Sequence, residues 1–90
     1  AESLGDRAPL ERAVAANPAD HQARYDLAVL LAASGDREAA LDHLLELLKR
    51  DRAWNEEAAR KQLLAFFEAW GPKDPLTRDG RRRLSSVLFS

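Results

Sequence analysis

The segment from 20 to 52, DHQARYDLAVLLAASGDREAALDHLLELLKRDR, limits the possible folds more than any other part of the chain. Apolar residues recur at helical spacing on both sides of Gly35, and that glycine is a suitable left-handed stop for the first of two helices. Asp20 and Asp36 each precede a helix and are predicted to cap its amino end. The segment is therefore predicted to form a helical hairpin around which the rest of the chain is organised.

Composition restricts the chain to one small helical domain. The 90 residues are rich in Ala and Leu, contain no isoleucine and are 32% charged, which favours helices over strands. A chain of this size buries about 60% of its unfolded surface, so a large enclosed active site is not expected. The formal net charge of −1 gives no general attraction to nucleic acid or to an anionic membrane. Cysteine is absent, which excludes disulfides and thiolate metal sites within this sequence.

A short helix is predicted before the hairpin. Leu10, Ala13 and Val14 are spaced as i, i+3 and i+4, and the helix should end near Pro18. Its narrow apolar stripe has no partner on the amino-terminal side, so we expect the chain to belong to a longer protein. Residues 1–5 are expected to be disordered or derived from cloning. The uncovered face around Leu10 and Val14 also predicts self-association.

A fourth helix is predicted to begin after the hairpin. Asn55 is expected to cap it, with Glu56 facing Arg60 and Glu57 facing Lys61 at i, i+4 spacing. This helix carries more apolar and aromatic residues than a single stripe needs. We therefore expect it to pack on two sides.

The last helix is predicted to begin at Asp74 and Pro75, a cap followed by a proline at the first helical position. Gly80 lies near the middle of this helix, where glycine costs about 1 kcal/mol relative to alanine. A break or a frayed turn is therefore expected at Gly80. Leu84 and Leu88 are expected to complete the core by covering the preceding helix.

The hairpin resembles a tetratricopeptide repeat. When Gly35 is placed at the turn of the repeat, Leu27 and Ala28 fall on the family's Leu-Gly pair of the first helix. Arg24 stands where the family usually has a large aromatic residue, and Arg52 replaces the closing proline. The resemblance implies an all-α fold, a right-handed, tetratricopeptide-repeat-like stack of about five antiparallel helices, or α-α superhelix. The helical domain would span residues 6–90, with a partial repeat at 6–19, a full repeat at 20–53 and a divergent helical pair at 55–89.

The segment from 50 to 90 resembles the carboxyl-terminal end of the YbbN-type thioredoxin-like proteins, also called chaperedoxins. The short sequence segments that carry the resemblance are Arg50-Asp51-Arg52, Ala58-Ala59-Arg60-Lys61, Leu63-Leu64, Phe67-Glu68 and Arg81 to Leu84. The resemblance implies a co-chaperone that holds non-native proteins and delivers them to the chaperonin GroEL and to DnaK-type chaperones. In that family the helical part follows an amino-terminal thioredoxin-fold domain. No thioredoxin domain is present in this chain, so redox activity is not carried over.

A candidate groove follows from the repeat alignment. Gln22, Tyr25, Val29 and Ala32 are predicted on the concave side of the stack. They form a weakly polar, partly apolar strip and lack the Lys and Asn residues that clamp a peptide carboxylate. Such a strip suits exposed hydrophobic segments of other proteins or a helix of a neighbouring domain. In the alternative interpretation, Tyr25 and Val29 pack against another part of the parent protein.

A second candidate site combines basic and apolar residues at the carboxyl end. Its residues are Arg81, Arg82, Leu84, Leu88 and Phe89. Three interpretations remain open: a solvated face with local ion pairs, a partner-docking helix, and a nucleic-acid patch. The nucleic-acid patch is disfavoured because no aromatic residue is interleaved with the basic run. Phe89 is the best single candidate for an intermolecular contact.

No catalytic, cofactor or metal site is predicted. His21 and His43 lie on different helices without a second ligand at metal-binding spacing, and no nucleophile or phosphate-loop motif occurs. The sequence also lacks a membrane-spanning run and a secretory signal, so a cytoplasmic protein is expected. The predicted function is a protein-interaction module of a co-chaperone, and the alternative is a structural cap of a larger repeat protein. An enzyme accessory or nucleic-acid-binding role is a third class.

Overall fold

The fold of residues 7–89 is described by a computed structural model, in which this range contains five α-helices and no strand. The helices are α1 (Ala8–Ala16), α2 (His21–Ala33), α3 (Arg37–Arg50), α4 (Trp54–Trp70) and α5 (Pro75–Phe89). The predicted all-α architecture is confirmed. The expectation for residues 1–5 lies outside the described residues.

Helix α3 lies at the centre of the core and contacts α2, α4 and α5. Five of its leucines are no more than 3% exposed: Leu41, Leu44, Leu45, Leu47 and Leu48. At 3.6 residues per turn these leucines cover a sector of roughly 160°, wider than the stripe of a helix that packs on one side. Helix α3 is therefore enclosed by its neighbours.

Helix α1 packs on α2 at one end of the domain. Leu10 and Val14 are half-buried against the core, although α1 has no fully buried residue. Part of the face that was predicted to promote self-association is therefore covered within the chain. Self-association itself stays a prediction.

The predicted caps differ in outcome. The Asp20 carboxylate accepts a hydrogen bond from the Ala23 amide at 3.1 Å, which confirms the cap of α2. Asp36 occupies the capping position of α3, but its side chain makes no capping hydrogen bond. Its carboxylate lies 3.6 Å from the Arg7 guanidinium instead. Gly35 has φ +92°, as expected for a left-handed helix stop.

The prediction for the start of α4 is wrong. Asn55, Glu56 and Glu57 have φ values of +50°, +57° and +64°, so the chain makes a left-handed turn there. Such positions cost non-glycine residues roughly 1–2 kcal/mol each. The residue at the capping position is Ala53, and no side chain caps the helix. Because the turn is not right-handed, the predicted i, i+4 ion pairs are absent from the described residues, and Glu57 pairs with Arg60 at 2.7 Å.

The predicted break at Gly80 is also wrong, because α5 is continuous and buries this glycine. A Cβ atom at Gly80 would lie 2.5 Å from Cε1 of Phe67 and 3.3 Å from Cδ2 of Leu41. The absence of a side chain therefore lets α5 approach α3 and α4 closely. Close packing outweighs the low helix propensity of glycine at this position.

Gly80→Ala is predicted to destabilise the protein by about 1–3 kcal/mol, because the new methyl group overpacks the contact with Phe67. Helix propensity alone predicts the opposite sign, a gain of about 1 kcal/mol. Urea unfolding followed by circular dichroism measures the difference. Ser85→Ala, at an exposed position of the same helix, is the control and should change stability by less than about 0.5 kcal/mol. A Gly80→Ala variant at least as stable as the parent would contradict the packing argument.

Arg24 is a buried cation between α2 and α3, with 7% of its surface exposed. Its Nη2 donates to the Pro18 carbonyl at 3.3 Å, and its Nη1 lies 3.4 Å from Nδ1 of His43. Burial lowers the pKa of His43, and the adjacent Arg24 lowers it further, against the opposing effects of Asp42 and Glu11. A neutral His43 can accept a hydrogen bond from Arg24, whereas a protonated His43 would place two cations together.

Stability is predicted to fall as the pH drops from 7 to 5. The His43 pKa is lower in the folded protein than its ordinary value of 6.5, so the unfolded chain takes up the proton first. Chemical unfolding at a series of pH values measures this loss. The control His43→Gln keeps an acceptor near Arg24 and should lose less stability over the same range. Equal losses in the two proteins would refute the assignment to His43.

Candidate functional site

The four predicted groove residues lie along one face of α2. Gln22 and Val29 are exposed, Val29 to 38%, whereas Tyr25 and Ala32 are half-buried. The amide of Gln22 donates to the Asp26 carboxylate at 2.9 Å, which holds this polar side chain along its own helix. Val29 is therefore the principal exposed apolar residue of the four.

Tyr25 joins this face of α2 to α4. Its hydroxyl donates to Oε1 of Gln62 at 3.0 Å, and its ring centre lies 5.6 Å from the ring of Trp54. Trp54 also meets the His21 ring edge-on at 6.1 Å. Tyr25 and Trp54 therefore join α2 to α4 within the chain.

Two aromatic residues lie four and eight residues beyond Gln62, on the side of α4 that Tyr25 contacts. The rings of Phe66 and Trp70 are stacked with centres 5.2 Å apart, and both residues are half-buried. Phe66 lies one helical turn beyond Gln62, as Val29 lies one turn beyond Tyr25. We call the combined surface the α2–α4 strip, and its residues are Gln22, Tyr25, Val29, Ala32, Phe66 and Trp70.

Trp70 at one end of the strip is held by charged groups. The Arg37 guanidinium lies 5.0 Å from the Trp70 ring centre, in a cation–π arrangement. Arg37 also donates to the Asp74 carboxylate at 2.7 Å, and this hydrogen bond lowers the pKa of Asp74. The surplus of aromatic residues on α4 was the sequence signal for a second packing surface. The sequence did not reveal that Phe66 and Trp70 would lie on the side of α4 that Tyr25 contacts through Gln62.

The apolar residues of the second candidate site divide between core and surface. Leu84 is 7% exposed and belongs to the core cluster, so its assignment to a docking surface is corrected. Leu88 is half-buried against that core, whereas Phe89 is 85% exposed. Helical spacing accounts for the difference, because Leu84 and Leu88 share the inner face of α5 and Phe89 is rotated outward.

The basic residues of this site are exposed. Arg82 forms an ion pair with Asp79 on the same helix. Arg81 has no carboxylate partner among residues 7–89. The adjacent Arg83 crosses to α3 and donates to Asp42 at 2.7 Å, a hydrogen bond that raises the pKa of Arg83. Of the three consecutive arginines from 81 to 83, Arg81 is therefore the one that has no ion pair within residues 7–89.

Arg52 fixes the carboxyl end of α5. Its guanidinium donates to the Val87 carbonyl at 2.8 Å and to the Leu88 carbonyl at 3.2 Å. The last carbonyls of a helix lack partners within the helix, and a cation there also interacts favourably with the helix dipole. The residue that replaces the repeat's closing proline therefore positions the helical end that presents Phe89.

The described residues show no sign of a metal or membrane site. Across residues 7–89, no cluster of three or more His, Asp or Glu side chains has the arrangement to hold a metal ion. In the same range, no helix combines the length and apolar character needed to cross a bilayer. The exposed apolar and basic surfaces are thus the candidate sites that the geometry offers.

Comparison with known proteins identifies the family. A tetratricopeptide repeat family model matches residues 1–89. The chain belongs to the tetratricopeptide repeat family. An uncharacterised protein of Haemophilus influenzae is 40% identical over 63 residues, which cover 70% of this chain and 29% of that relative. The chain thus spans less than a third of the relative's length. Tetratricopeptide repeats generally mediate protein–protein interaction, so protein binding is the general class of function.

Proposed function

We propose that this tetratricopeptide repeat chain is the protein-binding module of a cytoplasmic, thioredoxin-like co-chaperone. The proposal combines the general role of the repeat family with the resemblance of residues 50–90 to the YbbN-type proteins. The module holds non-native proteins and docks to the chaperonin GroEL, and DnaK-type chaperones are further partners. The parent protein would supply the thioredoxin-fold domain.

The α2–α4 strip is the observation that carries the proposal. Val29 is 38% exposed, and the half-buried Phe66 and Trp70 lie on the adjoining helix. Covering exposed apolar surface contributes about 25 cal/mol per Å², and this contribution does not require a particular sequence in the client. A strip without a cationic clamp therefore suits the apolar segments that non-native proteins expose.

The proposed chaperonin contact uses the end of α5. Phe89 is exposed at the helix end that Arg52 holds, and Arg81 and Arg82 lie on the outer side of the same helix. An exposed aromatic residue on the same helix as two exposed arginines has the composition of an interface hot spot. Leu88 supports this end from within the chain, since it packs against the core.

The second candidate function is a structural cap for a larger repeat protein. Arg81 and Ser85 give the outer side of α5 a polar surface, as terminal repeats require for solubility. The contacts of Tyr25 with α4 also use part of the strip inside the chain. A cap would position the other domains of the parent protein and would bind no separate partner.

The chaperonin contact is tested by co-sedimentation with purified GroEL. Phe89→Ala should weaken association by about tenfold, as truncation of an aromatic hot spot typically does. Ser85→Ala on the same helix is the control and should bind like the parent. Deleting the end of α5 is unsuitable, because Leu84 and Leu88 pack in the core.

The holding activity is tested by suppression of the aggregation of a chemically denatured client protein. Val29→Glu should reduce suppression while leaving GroEL association unchanged, because it alters only the strip. Ala15→Glu, at an exposed position of α1, is the control for the added charge. If the parent chain neither associates with GroEL nor suppresses aggregation, the co-chaperone proposal fails and the structural cap is favoured.

A further inference from the structure

The hairpins α2–α3 and α4–α5 bury corresponding positions. Their first helices share a spacing of four residues between buried side chains: Ala23, Leu27 and Leu31 in α2, and Ala59, Leu63 and Phe67 in α4. In the second helices, Ala40 and Leu44 of α3 correspond to Gly80 and Leu84 of α5. The second hairpin can therefore be compared with the first, position by position.

One side of the first hairpin packs against the second hairpin. Tyr25 on that side contacts α4, and Leu41 reaches to within 3.3 Å of the Cβ position at Gly80 of α5. Ala28 on α2 and Leu45 on α3 are likewise almost fully buried. This side of α2–α3 is therefore an apolar surface that is covered by helices.

The same side of the second hairpin is exposed and carries different residues. Leu64 corresponds to Ala28 and is 44% exposed, whereas Arg81 and Ser85 stand where α3 has Leu41 and Leu45. Lys61 and Glu68 border Leu64 on α4, and Arg81 faces them across a shallow hollow of about 450 Å³. We call this surface the terminal face, and its residues are Lys61, Leu64, Ala65, Glu68 and Arg81.

The terminal face carries a net positive charge. Lys61 and Arg81 have no carboxylate partner among residues 7–89, and Arg78 lies three residues before Arg81 on the same side of α5. Glu68 is the acidic residue of the face. An occupant that covers Leu64 would therefore gain most by placing carboxylates opposite Lys61 and Arg81.

We propose that the terminal face binds an amphipathic, acidic α-helix of another protein. Its apolar side covers Leu64 and Ala65, and its flanking Asp or Glu residues pair with Lys61 and Arg81. The corresponding surface of the first hairpin is covered by helices of the second, because α3 contacts both α4 and α5, so a helix is the kind of occupant that this surface takes elsewhere in the domain. This inference does not depend on the co-chaperone assignment, because it follows from the charge and exposure of the face.

Two synthetic peptides test the charge requirement. Both are fluorescently labelled 18-residue helices with leucines at i, i+3 and i+7, flanked by Glu in one peptide and by Lys in the other. Fluorescence anisotropy with the intact chain should show about fivefold or tighter binding of the Glu peptide, as two exposed ion pairs would give. High salt should reduce this preference. Equal binding of the two peptides, or binding of neither, would overturn the proposal.

The double variant Lys61→Glu, Arg81→Glu locates the site. It should reverse the preference in favour of the Lys peptide. The control variant Arg12→Glu, Lys49→Glu makes the same change in net charge at exposed positions outside the face and should retain the original preference. Retention of the preference by the first variant would overturn the assignment of the site. A different outcome is a dimer of the unliganded chain that Lys61→Glu, Arg81→Glu dissociates and the control variant does not. That result would assign the terminal face to a second copy of the chain and would overturn the proposal.

Discussion

The enclosure of α3 is the packing constraint on which the rest of the structure depends. A helix with leucines over such a wide sector must bury nearly half its circumference, and its single hairpin partner cannot cover that much surface. Helix α2 covers one part, while α4 and α5 cover the rest. The hairpin α2–α3 therefore depends on the hairpin α4–α5 to cover the leucines of α3. Helix α1 adds to α2 from outside and buries no residue completely.

Both candidate binding surfaces follow from how the second hairpin meets α3. Gly80 sets the approach of α5, and Arg52 holds its last carbonyls, so together they fix the direction in which Phe89 projects. On the other side, Tyr25 ties α2 to the side of α4 on which Phe66 and Trp70 lie. Binding surfaces on a small repeat protein are thus products of helix stacking, which agrees with a protein-binding role for this family.

Local sequence signals predicted the helices well because periodicity and turn residues act over a few positions. The failures at Gly80 and Leu84 depend on contacts between distant residues. Gly80 was expected to break a helix, but its packing against Phe67 is visible only in three dimensions. Leu84 was predicted both in the core and in the docking surface, and its burial shows that it belongs to the core. No local motif around Arg52 indicates its hydrogen bonds to α5. The exposure of Val29, by contrast, was predicted from the repeat alignment.

Native-state hydrogen exchange tests most directly whether α3 is the centre of one cooperative unit. The amides of Leu44 to Leu48 should open with the same free energy as global unfolding measured in urea. The amides of α1 should open at least about 2 kcal/mol more easily, since that helix has no fully buried residue. Opening of α3 below the global free energy, or equal protection of α1 and α3, would contradict this account of the fold.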